Sequence, residues 1–295
     1  MRIVSYRHGG FASFGVLTAD GGIVDAVKRG MGNSLRDVLG PSAIETLRRL
    51  EKEQPDFALE QVEITHPVPN AGRIFGIGSN HPSRFPEHAD LRAERPIIFL
   101  RTTQSVVGSG TPLQMPAHSE QLDYEGELGV VIGKAGRCVS AADAEEMIAG
   151  YCCFNDGTVR DHMKLSITMG KGTDATGACG PWLVTPDEVA GQDLQLETRV
   201  NGEIRQCASL SEMIFSPAEI IAFISGFAEL LPGDIVVTGT PSGVGAQMNP
   251  QVWLRPGDEV EVEISGIGCL KNRVIENSSD QSNVAHNDHG DRADA

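Results

Sequence analysis

From residue 122 the chain reads Leu-Asp-Tyr-Glu-Gly-Glu-Leu and runs, past Gly129, into the apolar segment Val130-Val131-Ile132. Carboxylates at every second position followed by an apolar run call for an extended segment, because successive strand side chains point to opposite faces at roughly 3.3 Å per residue. Asp123, Glu125 and Glu127 then share one face, each within about 7 Å of the next. Such a face is either wet or buried. If it is buried, lost hydration and mutual repulsion push the carboxyl pKa values up, and a divalent metal is the commonest reason for keeping the cluster ionised.

The chain carries its own comparison in Asp258-Glu259-Val260-Glu261-Val262-Glu263-Ile264, which alternates equally well. There Glu259, Glu261 and Glu263 read as the wet face of an antiparallel strand whose Val260, Val262 and Ile264 face the core. Alternation alone leaves both outcomes open for the first run, a cation site or a solvated face.

With 295 residues and 40% apolar content, the chain can bury a real core as one large domain or two modest ones. Its 40 acidic and 24 basic residues give a net charge of -16, and no basic stripe marks a helical face, so neither nucleic acid nor anionic membrane is expected as a partner. The longest apolar stretch, residues 220–231, is interrupted by Ser225, Gly226 and Glu229 and is too short to span a bilayer. The first residues lack the apolar core and small-residue cleavage site of a signal peptide, which gives a cytoplasmic location as the expectation. Cysteines at 138, 152, 153, 179, 207 and 269 show no C-x-x-C spacing, and free, mostly buried thiols are expected.

Residues 1–68 read as a small N-terminal α+β unit. It has short strands around an Asp20-Gly21-Gly22 hairpin turn, a helical stretch near 34–53 broken at Gly40-Pro41, and a strand at 62–64. A Pro-rich linker leads to a larger unit, residues 69–275. Here the Gly-rich strand Ile74 to Gly78 delivers a polar run from Ser79 and Asn80 through His81 and His88 to Asp90, and sites are usually built on such strand ends. Another strand ends in Asn155-Asp156-Gly157-Thr158-Val159-Arg160-Asp161, adding an acid and a cation. Gly170 to Pro181 reads as a long Gly-rich loop around Lys171, able to approach a ligand closely but lacking the Lys-Ser/Thr pair of a Walker loop. Asn201-Gly202 marks a hairpin, and Ser216-Pro217-Ala218-Glu219 opens a helix extending to about Leu231. Residues 276–295 have the composition of a disordered acidic tail.

Taken in order, Asn80 and His88, Asp123 to Leu128, Asn155 to Asp161, Gly170-Lys171, Gly180-Pro181-Trp182, Val200 to Glu203, Pro232-Gly233-Asp234 and Gly239 to Gly245 resemble the fumarylacetoacetate hydrolase family. The resemblance covers about residues 70–275 and rests on the number and order of these matches. It implies a mostly β fold with a few helices, a rolled mixed β-sheet core, a homodimer and a Mg²⁺ or Mn²⁺ site. Carried over by position, Glu125, Glu127 and Asp156 are the metal ligands, with Asp123 beside them, a donor set that suits a hard cation. The implied activity is hydrolysis of a carbon–carbon bond in a small anionic 1,3-diketo acid, an acylpyruvate or fumarylpyruvate-like compound from aromatic breakdown. The cation would stabilise the departing enolate. His88 would activate water and Asp90 would orient it. Lys171 and Gln206 would hold the oxyanion, Arg160 would pair with the substrate carboxylate, and Thr240 would bind a product acid.

Four positions depart from the family pattern. His88 stands eight residues after Asn80 instead of about one helical turn, and Leu91 takes the place of the acid that usually pairs with it. Arg101 replaces a common lysine, and Met163 a common glutamine. Asp90, Glu87 or Glu94 could supply the missing acid. Without one, a decarboxylase, isomerase or hydratase of a related 2-keto acid is the alternative, as is a non-catalytic protein of the same fold. Intact Glu125, Glu127, Asp156 and Lys171 favour an enzyme, since a purely structural descendant has no need of the lysine.

Overall fold

Short β-branched runs between tight turns give a protein organised by strands, and the longest helix among the described residues, Pro41–Leu50, has only ten residues. The computed structural model describes residues 1–82 and 94–276. A twelve-stranded mixed sheet forms the main layer. Its ten-strand path runs from Phe57–Ala58 through Gly22–Asp25, Phe11–Leu17, Arg2–His8, Gly177–Val184, Ile148–Asn155, Gly126–Ile132, Ile235–Val237 and Ile74–Gly78 to Ile97–Arg101. Strands from the first 68 residues join this sheet through the antiparallel pair Arg2–His8 and Gly177–Val184. The acidic tail expected from residue 276 lies, apart from Glu276, outside the described residues.

A five-stranded sheet, ordered Glu203–Ser209, Gln195–Val200, Glu259–Ile264, Gly268–Ile275 and Leu113–Gln114, packs against the main one. Leu128, Val130 and Cys153 of the first sheet share a core with Leu196, Val260, Val262 and Leu270 of the second. The sheets approach so closely at Gly126 that a β-carbon there would collide with Thr198 Oγ1. Gly126–Ile132 is buried at every position, which accounts for its continuous apolar end. In Glu259–Ile264 the valines and isoleucine are buried while the glutamates stay partly exposed. Asn201 (φ 52°) and Gly202 (φ 78°) turn the hairpin before that sheet's edge strand, as the Asn-Gly pair requires.

Three local expectations are corrected. The Gly-rich stretch at 170–181 is a loop only over 173–176. Lys171 lies on the helix Ile167–Gly172, capped by Ser166 Oγ accepting from Met169 N at 3.1 Å, and residues Gly177–Val184 form a buried central strand. The glycines permit close packing here, since β-carbons at Gly170 and Gly177 would collide with Met163 and Arg101. The helix that Ser216 caps ends at Ser225 instead of Leu231, because Leu230 is drawn into a bridge with Gly136. No disulfide forms among the described residues, but only Cys152, Cys153 and Cys179 are buried, and Cys138 and Cys207 are exposed. Among the described residues no helix is long and apolar enough to cross a membrane.

Candidate metal centre

The single strand expected at 122–132 is two strands. Leu122–Asp123 pairs with Thr158–Val159, whereas Gly126–Ile132 pairs with Ile148–Asn155, and Tyr124 and Glu125 form the break between them. The break is fixed from the opposite strand end. Glu125 N donates to Asn155 Oδ1 at 3.0 Å, and Asp156 N donates to the Glu125 carbonyl at 2.8 Å. This change of direction turns Glu125 toward Asp156 and Glu127. Each of the three offers a carboxylate oxygen within 4.8 Å of the others, and all three are buried. Asp123 instead accepts from Gly245 N at 2.8 Å and Ala246 N at 3.0 Å and pairs with Arg160. The acids of the comparison strand meet Arg199 and Lys271 near solvent.

The buried charges are unequally compensated. Lys171 Nζ donates to Glu125 Oε2 at 2.7 Å, Asp156 Oδ2 at 2.5 Å and the Asp156 carbonyl at 3.1 Å. Arg101 Nη1 donates to Asp156 Oδ1 at 2.5 Å and the Gly157 carbonyl at 2.9 Å. Its Nε and Nη2 are held by Ser105 and Thr176. Burial raises the Asp156 pKa, but Lys171 and Arg101 outweigh it and hold the carboxyl below its ordinary value. Burial also works against the Lys171 ammonium, and Asp156, Glu125 and Glu127 outweigh that and raise its pKa. Glu127 is the acid left over. Burial first, then repulsion from Asp156 and Glu125, pushes its pKa well above the usual carboxylate range, and its direct hydrogen-bond donor is Gly239 N at 2.5 Å.

These residues fit a hard divalent cation. Around an octahedral ion with bonds of about 2.1 Å, ligand oxygens lie about 3.0 to 4.2 Å apart, so small side-chain shifts would let one oxygen from each acid bind. Four carboxylates, counting Asp123, face the three cations Lys171, Arg101 and Arg160, which leaves one negative charge. A divalent ion would reverse that sign and make the site attractive to an anion.

Of the triad Glu125 borders a cavity of about 910 Å³, whose polar lining also includes Arg160, Lys171, Thr240 and His81. Arg160 Nε donates to Asp123 Oδ2 at 2.8 Å, while Nη2 is 2.6 Å from Glu125 Oε1 but off hydrogen-bond alignment. Thr240 Oγ1 donates to the Gly126 carbonyl at 2.9 Å. Gln206 lies behind this wall, with Nε2 donating to Thr240 Oγ1 and the Pro241 carbonyl and Oε1 accepting from Gly126 N. His88 and Asp90 lie outside the described residues, as do Glu87 and Leu91, while Glu94 is exposed. Two residues named in the sequence without a role gain one here. Arg101 neutralises Asp156, and His81 reaches the cavity from the position directly after Asn80.

The sequence profile of the fumarylacetoacetate (FAA) hydrolase C-terminal family matches residues 73–275. An oxaloacetate tautomerase of Bacillus subtilis (strain 168), YisK, is 41% identical over 228 residues, spanning 74% of this chain and 75% of its own. The solved fumarylacetoacetate hydrolase of Exiguobacterium antarcticum superposes with a TM-score of 0.81 at 32% identity, covering 94% of this chain and 100% of its own. A maleylpyruvate hydrolase of Sphingobium sp. SYK-6, solved with manganese(II) and pyruvate, gives a TM-score of 0.78 at 26% identity, covering 94% of this chain and 100% of its own.

Proposed function

Since the chain belongs to the fumarylacetoacetate hydrolase family and has its fold, we propose that it is a divalent-metal-dependent enzyme of small 2-keto acids that moves a proton between carbon and oxygen, with oxaloacetate as the test substrate. The observation that carries this reading is the buried Glu125, Glu127 and Asp156 cluster, whose Glu125 lines a cavity together with Lys171 and Arg160. A Mg²⁺ or Mn²⁺ ion bound there would draw charge from the adjacent oxygens of a keto acid, making the neighbouring C–H bond acidic. The protein supplies the rest. Arg160 presents a guanidinium to a substrate carboxylate, the Lys171 ammonium sets the charge at the cavity floor, and apolar Ile77, Phe99 and Ile214 limit water at the reacting carbon. Similarity to the Bacillus subtilis tautomerase supports proton transfer as the outcome.

Hydrolysis of a 1,3-diketo acid is the second reading. A volume of about 910 Å³ leaves room for a longer substrate, and the Sphingobium maleylpyruvate hydrolase that holds manganese and pyruvate has a similar fold. The two separate on metal-stripped protein with and without Mg²⁺ or Mn²⁺, beside Glu125→Ala. Metal-dependent loss of enol oxaloacetate, with no pyruvate released from acylpyruvates, is the expected result. Pyruvate release would select hydrolysis. Equal rates for metal-loaded parent, stripped parent and Glu125→Ala would reject both.

A further inference from the structure

His81 is 8% exposed, lines the cavity together with Glu125, Arg160 and Lys171, and has no hydrogen-bond partner at either ring nitrogen among the described residues. Buried polar atoms in folded proteins are nearly always paired, and an orphaned imidazole at a cavity wall calls for a ligand. The backbone is built to present it. Ser79 adopts the left-handed region at φ 55°, where residues other than glycine are uncommon. Asn80 is clamped by four hydrogen bonds: its Nδ2 donates to the Phe215 and Thr238 carbonyls, its Oδ1 accepts from Phe215 N, and its carbonyl accepts from Ile214 N. Gly239 packs so closely against Asn80 that a β-carbon there would meet the Asn80 side chain. The turn that carries His81 is therefore fixed.

We propose that His81 is a catalytic residue of this site, contacting the keto acid and carrying the proton between its enol oxygen and C3. The inference rests on the proton-transfer function proposed above. Burial lowers the imidazole pKa to about 4, so the ring enters the reaction neutral, with one nitrogen able to accept and the other able to donate. In the step, the enol O–H bond breaks and its proton passes to the free ring nitrogen. The electrons of that bond form the second C=O bond, the C=C electrons form the new C3–H bond, and the imidazolium returns a proton to C3. The ring ends neutral, nothing is oxidised or reduced, and no further reactant is needed.

The test compares parent, His81→Gln and His81→Ala, all loaded with Mn²⁺, in kcat and KM for enol oxaloacetate and in the Kd of oxalate, which cannot tautomerise. Glutamine can hydrogen-bond but cannot carry the proton, so kcat falls by about 10² or more, while KM and the oxalate Kd stay within about threefold. Added imidazole restores part of the His81→Ala rate. Thermal melts confirm that each variant is folded. An unchanged kcat, or kcat and oxalate binding lost together without imidazole rescue, would overturn the assignment, the second outcome marking His81 as structural. A parent inactive with metal would instead remove the proton-transfer reading and the proton-carrying role with it. The contact would then be decided by whether oxalate shifts the His81 ring ¹⁵N resonances, and no shift would overturn it.

Discussion

Replacing Arg101 by methionine keeps an unbranched apolar stem and deletes a guanidinium that is fully buried and makes five hydrogen bonds. Asp156 would keep Lys171 but lose its other cation, and Ser105, Gly157 and Thr176 would lose donors. Removing one partner of a buried ion pair costs about 3–5 kcal/mol. With Lys171 still in place, the lower end of that range, about 3 kcal/mol, is expected for metal-free protein. At about 2–4 °C per kcal/mol for a domain of this size class, the melting temperature should fall by about 6–12 °C. Arg101→Lys should lie between, because it keeps the charge but cannot make the forked contacts. The assay is urea unfolding of stripped protein, repeated with excess Mn²⁺. The ion should narrow the deficit of Arg101→Met, since it neutralises the carboxylate that the substitution strands. A methionine variant within about 1 kcal/mol of the parent, or a deficit that metal leaves unchanged, would refute the charge accounting at Asp156.

Glu127 has a raised pKa, so below that pKa a proton competes with the metal. Apparent Mn²⁺ affinity should rise with pH and binding should release protons, which titration calorimetry in buffers of different ionisation enthalpy would read; a pH-independent affinity would count against Glu127 as a ligand. Lys171→Met should fold in the presence of Mn²⁺ and lose about 10²-fold or more in kcat, and a variant with parental turnover would remove the lysine from the site. Leu100 is 49% exposed on the edge strand Ile97–Arg101, near exposed Phe227. The protein should therefore sediment as a dimer that Leu100→Asp converts to monomer, and a parental monomer at micromolar concentration would refute this.

Much of the fold was legible where local chemistry decides it. Asn201-Gly202 has the turn its residues favour, Ser216 caps its helix through Glu219, and the valines at 260 and 262 alternate into the core. Glu125, Glu127 and Asp156 could be picked out by spacing and resemblance, and the fold brings them together. The break at Tyr124 and Glu125 was not legible, because alternation is local while the choice between two pairing partners is made by distant strands. Glycines on both sides of Lys171 weaken a helix and point to a loop, and here the Ser166 cap and tight packing compensate. Nothing near Arg101 in sequence announces a buried cation, since its partners Asp156 and Thr176 are 55 and 75 residues away. His81 was visible as a polar strand-end residue, but its unpaired burial exists only in three dimensions.

Whether Glu125, Glu127 and Asp156 hold one divalent cation can be read from anomalous diffraction of a crystal of the protein grown with Mn²⁺. One strong peak per chain is expected, bonded to an oxygen from each of the three acids and absent in Glu127→Gln. Manganese found only on surface carboxylates such as Glu259 and Glu263, with Lys171 and Arg101 still paired to the triad, would contradict it and show that the fixed cations already satisfy the buried acids.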